Sequence, residues 1–292
     1  MKRNIRTPLG PRAAALCLLA LFLLAAPPAP ARQKMKAADV ITKHLEAVGP
    51  AESRQSVKSR VITGDASVTF SREGLAKVTG PGVIASSGEK YAVGMVFGNV
   101  DNYPHEKFGY DGKSVTTAYV RPGARSPLGH FLLANQNAVK HGLFFGALSS
   151  AWPLYREGDI RAKLDYAGLK KIGDRQVHEV RYEPKGGSDL TISLFFDAET
   201  FHHVRTVYTH VISPQMGGSV DASGSQSETR TKLTEDFSDF KKEGALTLPH
   251  AYSLRMERRE RNSSYDAHWE MKLSQFAYNQ TIDAAFFDVG AK

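Results

Sequence analysis

From about residue 57 onward, apolar and polar positions alternate with a period of two, which sends successive side chains to opposite faces of a sheet. Leu190, Ile192, Leu194 and Phe196 form one such row, and Tyr252, Leu254 and Met256 another. Tyr265, Ala267, Trp269, Met271 and Leu273 form a third, with Asp266, His268, Glu270 and Lys272 on the opposite face. Antiparallel strands with one wetted face have this pattern. Turn residues separate the rows: Asp111-Gly112 between Phe108–Tyr110 and Val115–Val120, then Lys185–Ser188, Asp197–Thr200 and Arg261–Ser264. Loops this short join sequence neighbours as hairpins.

Two regions follow a helical period instead. Ile41, Leu45 and Val48 predict a helix over Asp39–Val48, stopped by Gly49-Pro50. Ser126 as N-cap and Pro127 at the first helical position open a second region reaching about Tyr155, which His141-Gly142 divides. The first piece carries Leu128, Phe131, Leu132 and Val139; the second, also expected to be a helix, carries Leu143, Phe144, Ala147, Leu148, Ala151 and Trp152. Ser213–Glu228, with Pro214, three glycines and five serines, has no periodicity and reads as a loop. The expected class is mainly β with helices (α+β): a large, curved antiparallel sheet with two or three helices against its apolar face.

The first residues change the length that must fold. Lys2, Arg3, Arg6 and Arg12 precede an apolar run of 14 residues, Ala13–Ala26, and Ala29-Pro30-Ala31 supplies small residues for cleavage. Residues 1–31 are expected to be a signal peptide, since the run is shorter than the ~20 residues of a membrane-crossing helix. Residues 32–292 are expected to form a single domain. Removing the four basic residues of the signal leaves 34 Lys+Arg against 30 Asp+Glu, a charge of +4 rather than +8. With no block of like charge, nucleic acid is not indicated. The run Arg255–Arg261 interleaves Glu257 and Glu260 and reads as a solvated face. The only cysteine, Cys17, lies in the signal, so disulfides, thiolate catalysis and Cys-ligated zinc are excluded from the mature chain.

Catalytic and metal motifs fare no better. The ten histidines include no His-Glu-x-x-His spacing. By alternation His202 and His210 share a strand face while His203 points away, so no ligand set converges. Glu235, Asp236 and Asp239 flank Phe237 and Phe240 on what reads as an edge strand with solvated charge. Gly112-Lys113-Ser114 ends like a phosphate-binding loop, but Lys107 stands where the loop needs glycine. No nucleophile elbow or dinucleotide fingerprint is present. The reading is therefore of a non-enzyme without cofactor or metal.

What remains is apolar surface on short helices beside a curved sheet: Phe131, Leu132, Leu133, Phe144, Phe145, Leu148 and Trp152. They either plug the sheet as an ordinary core or form a lid over a hydrophobic cavity.

The signal segment, the helix Asp39–Gly49 and the strand Val57–Gly64 together resemble the start of the outer-membrane lipoprotein-sorting (LolA-like and LolB-like) periplasmic carriers. Leu190–Phe201, with its Phe196-Asp197 and Thr200 turn, and Asp236–Pro249, ending in Gly and then Leu-Pro, are similar to that family's hairpins. The resemblance covers most of the mature chain. It implies an unclosed β-barrel whose concave face is covered by helices, a soluble periplasmic location, no catalytic residues, and carriage of lipid or acylated protein between membrane-associated donor and acceptor proteins. It also implies an arginine on an early strand that locks the lid, for which Arg60 is the candidate, with Lys58 equally placed by alternation. The expected cargo contacts are Phe131, Leu132, Phe144, Leu148 and Trp152, in a monomer. The competing expectation is an envelope-sensing or scaffold protein that uses the same fold to bind a protein partner.

Overall fold

The computed structural model describes residues 35–71, 77–98, 100, 102–156, 158–213 and 228–290. The expected signal peptide and residues 214–227 of the expected polar loop lie outside the described residues.

Among the described residues, twelve strands form one antiparallel sheet. Five come first: β1 (Ser59–Phe70), β2 (Val78–Ser87), β3 (Lys90–Val96), β4 (His105–Tyr110) and β5 (Val115–Thr117). A short ribbon of β6 (Tyr119–Arg121) and β7 (Ala124–Arg125) follows. The remaining strands are β8 (Ala162–Ile172), β9 (Arg175–Pro184), β10 (Leu190–Asp197), β11 (His203–Ile212), β12 (Thr229–Glu243), β13 (Leu246–Arg259) and β14 (Ser264–Tyr278). Sequence neighbours pair as hairpins, and the last strand returns to the first, giving the order β5-β4-β3-β2-β1-β14-β13-β12-β11-β10-β9-β8. β5 and β8 end the sheet at opposite edges, so it is not closed into a barrel.

The three apolar rows expected from alternation all face inward, and only Tyr265 is less than fully buried. The outer face carries ion pairs such as Arg205–Asp236 (2.6 Å) and Arg255–Asp266 (2.5 Å). β1 bends at a bulge between Thr63 and Gly64, where a β-carbon on Gly64 would lie 1.9 Å from the Lys272 carbonyl oxygen, so glycine is required.

The first helix, α1, spans Ala37–Val48 and ends at Gly49 as its periodicity predicts; Val40, Ile41, Leu45 and Val48 are buried. Pro50 then starts a short helix, α2 (Ala51–Ser56), that periodicity had not indicated. Ser126 caps α3 (Pro127–Ala134), its Oγ accepting the Gly129 N–H at 2.8 Å, and α4 (Gln136–Lys140) follows. The chain breaks at Gly142 as expected. Its φ is +74°, and a β-carbon there would meet the Ala151 carbonyl oxygen at 2.4 Å.

The second piece corrects the expectation, because Leu143–Trp152 is not an α-helix. It is irregular chain with 3-10 turns at Gly146–Leu148 and Pro153–Tyr155, and Phe145 is left-handed at φ +69°. Sheet side chains take the backbone groups that a helical ladder would use. Glu235 Oε1 accepts the Phe145 N–H (2.8 Å), and Ser86 Oγ accepts the Ser150 N–H (2.9 Å). The Ala147 carbonyl accepts from Arg60 and from the Tyr155 hydroxyl (3.0 Å). Buried backbone groups need partners, and here the partners are tertiary.

Candidate functional site

The stretch from Ser126 to Arg156 leaves β5's side of the sheet, crosses the inner face and fills it. All five expected cargo contacts lie in this interior. Leu132, Phe144, Leu148 and Trp152 are fully buried and Phe131 nearly so. Phe144 stacks on Tyr208 (4.9 Å between ring centroids) and meets Phe108 edge-on (5.8 Å). Trp152 packs on His203 (4.8 Å), His44 (5.2 Å) and Tyr155 (5.8 Å). Phe131 lies 6.5 Å from His210. The structure brings Phe144, Leu148 and Trp152 into one continuous core with the sheet aromatics.

The interior also contains ionisable groups at the start and at the middle of the covering segment. Near its start, Glu106 accepts from the Tyr103 hydroxyl and from Ser126 Oγ (2.9 Å), the residue that caps α3. Near its middle, Glu235 is wholly buried and accepts from Phe145 N–H, Tyr208 Oη (2.7 Å) and Tyr252 Oη (2.9 Å). Burial raises both carboxyls to about 7, against the lowering effect of these donors. Tyr91 Oη donates to the Val139 carbonyl (2.7 Å), completing a set of anchors from β1, β2, β3, β4 and β12.

Arg60 is 1 % exposed and donates Nη1 to the Ala147 carbonyl, with its guanidinium 5.2 Å from the centre of the Tyr155 ring. Lys58, its competitor by alternation, is exposed ahead of β1.

One histidine expectation is corrected. His203 is buried inside, as is His44 on the apolar stripe of α1. His203 shares the interior with Tyr208 because a register shift between β10 and β11 at Phe195/Phe196 reverses its side; His202 stacks on Phe240 instead (4.2 Å). His44 Nδ1 donates to the Phe201 carbonyl (2.9 Å), and burial pushes its pKa down to about 3. Burial likewise lowers that of His203.

Two cavities adjoin this core. One of about 830 Å³ lies between α1 and β8, lined by Ile41, Leu45, Leu154, Ile160 and Leu164 among others. The second, about 780 Å³, is a groove on the outer face of β1–β4, beside the C-terminal stretch whose Phe287 packs on Ala85 and Ala92.

No family model matches the chain, and no curated protein matches it. Solved structures do. The chain is similar to a LolA superfamily protein, NE2245, from Nitrosomonas europaea (11 % identical, 87 % of this chain and 98 % of that one, TM-score 0.45). It is also similar to a DUF1329 family protein from Desulfovibrio piger (10 %, 86 % and 97 %, TM-score 0.43). A third is a putative outer membrane lipoprotein-sorting protein domain from Vibrio parahaemolyticus (11 %, 85 % and 97 %, TM-score 0.41).

The buried acids depart from the expectation: Glu235 does not carry solvated charge on an edge strand, since β12 lies between β11 and β13 and Glu235 faces inward. A signal was available: Leu233, Glu235 and Phe237 alternate, as do Glu106, Phe108 and Tyr110, so each acid stands in an apolar row. An ionisable residue at an inward position marks a site that packing alone does not explain.

Proposed function

We propose that this protein is a periplasmic carrier or chaperone that binds lipid or acylated protein, lipoprotein included, between its sheet and the 126–156 segment, and passes it toward the outer membrane. Its work is binding and release rather than catalysis. The observation that carries this reading is how the segment is held. Its middle has no continuous helix and is anchored by hydrogen bonds from separate strands, so it can shift as a unit when those bonds exchange. In this reading Arg60 is the lock, through Ala147, and Phe131, Leu132, Phe144, Leu148 and Trp152 pass their contacts to cargo. The apolar cavity between α1 and β8 receives the first part of an acyl chain.

Magnitudes limit how far the segment moves. A chain of about a dozen methylenes gains ~10 kcal/mol at ~0.8 kcal/mol per CH₂. Exposing one large apolar side chain costs about 1.5–3 kcal/mol. Cargo therefore replaces part of the packed segment and does not expel all of it into water.

Native mass spectrometry of protein isolated from its own periplasm tests the reading: co-purifying lipid supports it. Phe144→Ser and Trp152→Ser are expected to weaken binding of a fatty-acid probe more than they lower stability. If they instead cost several kcal/mol, as truncations in a packed core do, and the wild type binds no acyl probe, the segment is a fixed plug and the carrier reading is abandoned. One observation favours the scaffold alternative: the outer groove leaves Val96, Tyr119 and Phe286 at least 40 % exposed. A stable protein complex without lipid is its signature.

A further inference from the structure

A buried charge is stable only when paired or well hydrogen-bonded, and Arg60 falls short of that. Its guanidinium is held by one carbonyl and one aromatic face, and among the described residues it forms no ion pair. Its Nε is buried and unbonded. Two further polar atoms nearby share this condition. Tyr278 is Arg60's cross-strand partner on β14, so the two side chains lie on the same face, and the Tyr278 hydroxyl has no partner. Trp152 packs on the Tyr155 ring that lies under Arg60, and its Nε1 has no acceptor. Glu243, the acid whose charge reaches Tyr278, lies 3.0 Å from His250 Nε2.

Donors therefore outnumber acceptors around a buried cation. We propose that Arg60, with Tyr278 and Trp152, is the receptor for an anionic group on the cargo, a carboxylate or phosphate at the head of an acyl chain. This rests on the carrier reading and adds the chemical class of the ligand. The tail has a place next to the head: Leu154, adjacent to Tyr155, lines the apolar cavity beneath α1. Binding the anion moves the Nη1 hydrogen bond from the neutral Ala147 carbonyl to a charged acceptor. Hydrogen bonds to an ionised acceptor are roughly twice as strong as neutral ones, so the exchange releases the 146–148 turn as cargo arrives. The head group itself opens the lock.

Palmitate and hexadecanol, equal in chain length and differing in charge, are the probes, titrated by displacement of a fluorescent fatty acid at a pH where the carboxylate is ionised. Wild type is expected to bind palmitate at least about tenfold more tightly, the scale of one charge-assisted hydrogen bond. Arg60→Gln is expected to abolish that preference while leaving hexadecanol binding equal or tighter, because the lock is gone. Lys58→Gln removes the same charge from an exposed site and is expected to keep the preference. Loss of the preference in Lys58→Gln as well would trace it to net charge and overturn the assignment. Equal binding of both probes by wild type, a result that needs no variant to fold, overturns the anion site and leaves the carrier reading standing. Binding of neither overturns both. Displacement of palmitate by millimolar inorganic phosphate assigns the site to free anions; its absence assigns it to the cargo's own head group.

Discussion

Two elements cover the inner face of the sheet, and they are held in opposite ways. The helix α1 forms its own backbone ladder, with Arg54 of α2 donating to the Leu45 carbonyl at its end (2.9 Å), and is fixed to the core by an apolar stripe and a polar bond from His44 to Phe201. The 143–155 segment buries more aromatic surface, yet its backbone depends on Glu235, Arg60 and Ser86 from the sheet. Apolar competition can loosen the first, because hydrophobic contact is non-directional. The second responds to charge and proton occupancy, because its anchors are directional and buried.

The largest expected effect that separates the two is at Glu235. Glu235→Leu strands two tyrosine hydroxyls and the Phe145 N–H, each worth about 1–3 kcal/mol when buried without a partner, so urea denaturation should show a loss of at least roughly 3 kcal/mol. A loss below about 1 kcal/mol would mean the segment does not lean on this anchor.

The pH dependence is next in size. Burial raises Glu235 and Glu106 from the ordinary 4.5 to about 7. The folded protein thus keeps protons that the unfolded chain releases. The stabilisation is complete below pH 4.5 and is lost as pH rises through about 7. Thermal stability should fall across that interval, and Glu235→Gln should flatten the fall. An unchanged slope in Glu235→Gln would remove Glu235 from this role.

A smaller effect is expected at the start of the covering segment. Ser126→Ala removes both the cap of α3 and a donor to Glu106, and should cost about 1–2 kcal/mol by denaturant titration. On the other cover, His44→Leu exchanges one hydrogen bond, worth about 1 kcal/mol net, for apolar contact and ends the burial of an unbonded Nε2. Its stability change should be within about 1 kcal/mol. A loss as large as that of Glu235→Leu would erase the distinction between the two covers.

The sequence alone determined the predominance of strands, the hairpin turns and the helix α1, but not that β12 is interior to the sheet or that Val115–Val120 divides between β5 and β6. Each of the three it determined depends on contacts a few residues apart: side chains that alternate, a glycine that ends a helix, and Asp111 or Asp197 bonding the amides of its own turn. The aromatic residues of the covering segment were legible as an apolar set, whereas Arg60 stood out only through the family resemblance, with Lys58 equally placed by alternation. Tertiary structure alone decided the rest. Phe144, Ala147, Leu148 and Trp152 fit a helical period, but Glu235 lies 90 residues beyond Phe145 and takes its amide, and Arg60 lies 87 residues before Ala147 and takes its carbonyl. His203 changes sides through a bulge that only strand pairing reveals. A local pattern records which side chains prefer to be buried. It does not record which distant polar group will reach a backbone amide first, and buried hydrogen bonds are strong enough to override helical preference when one does.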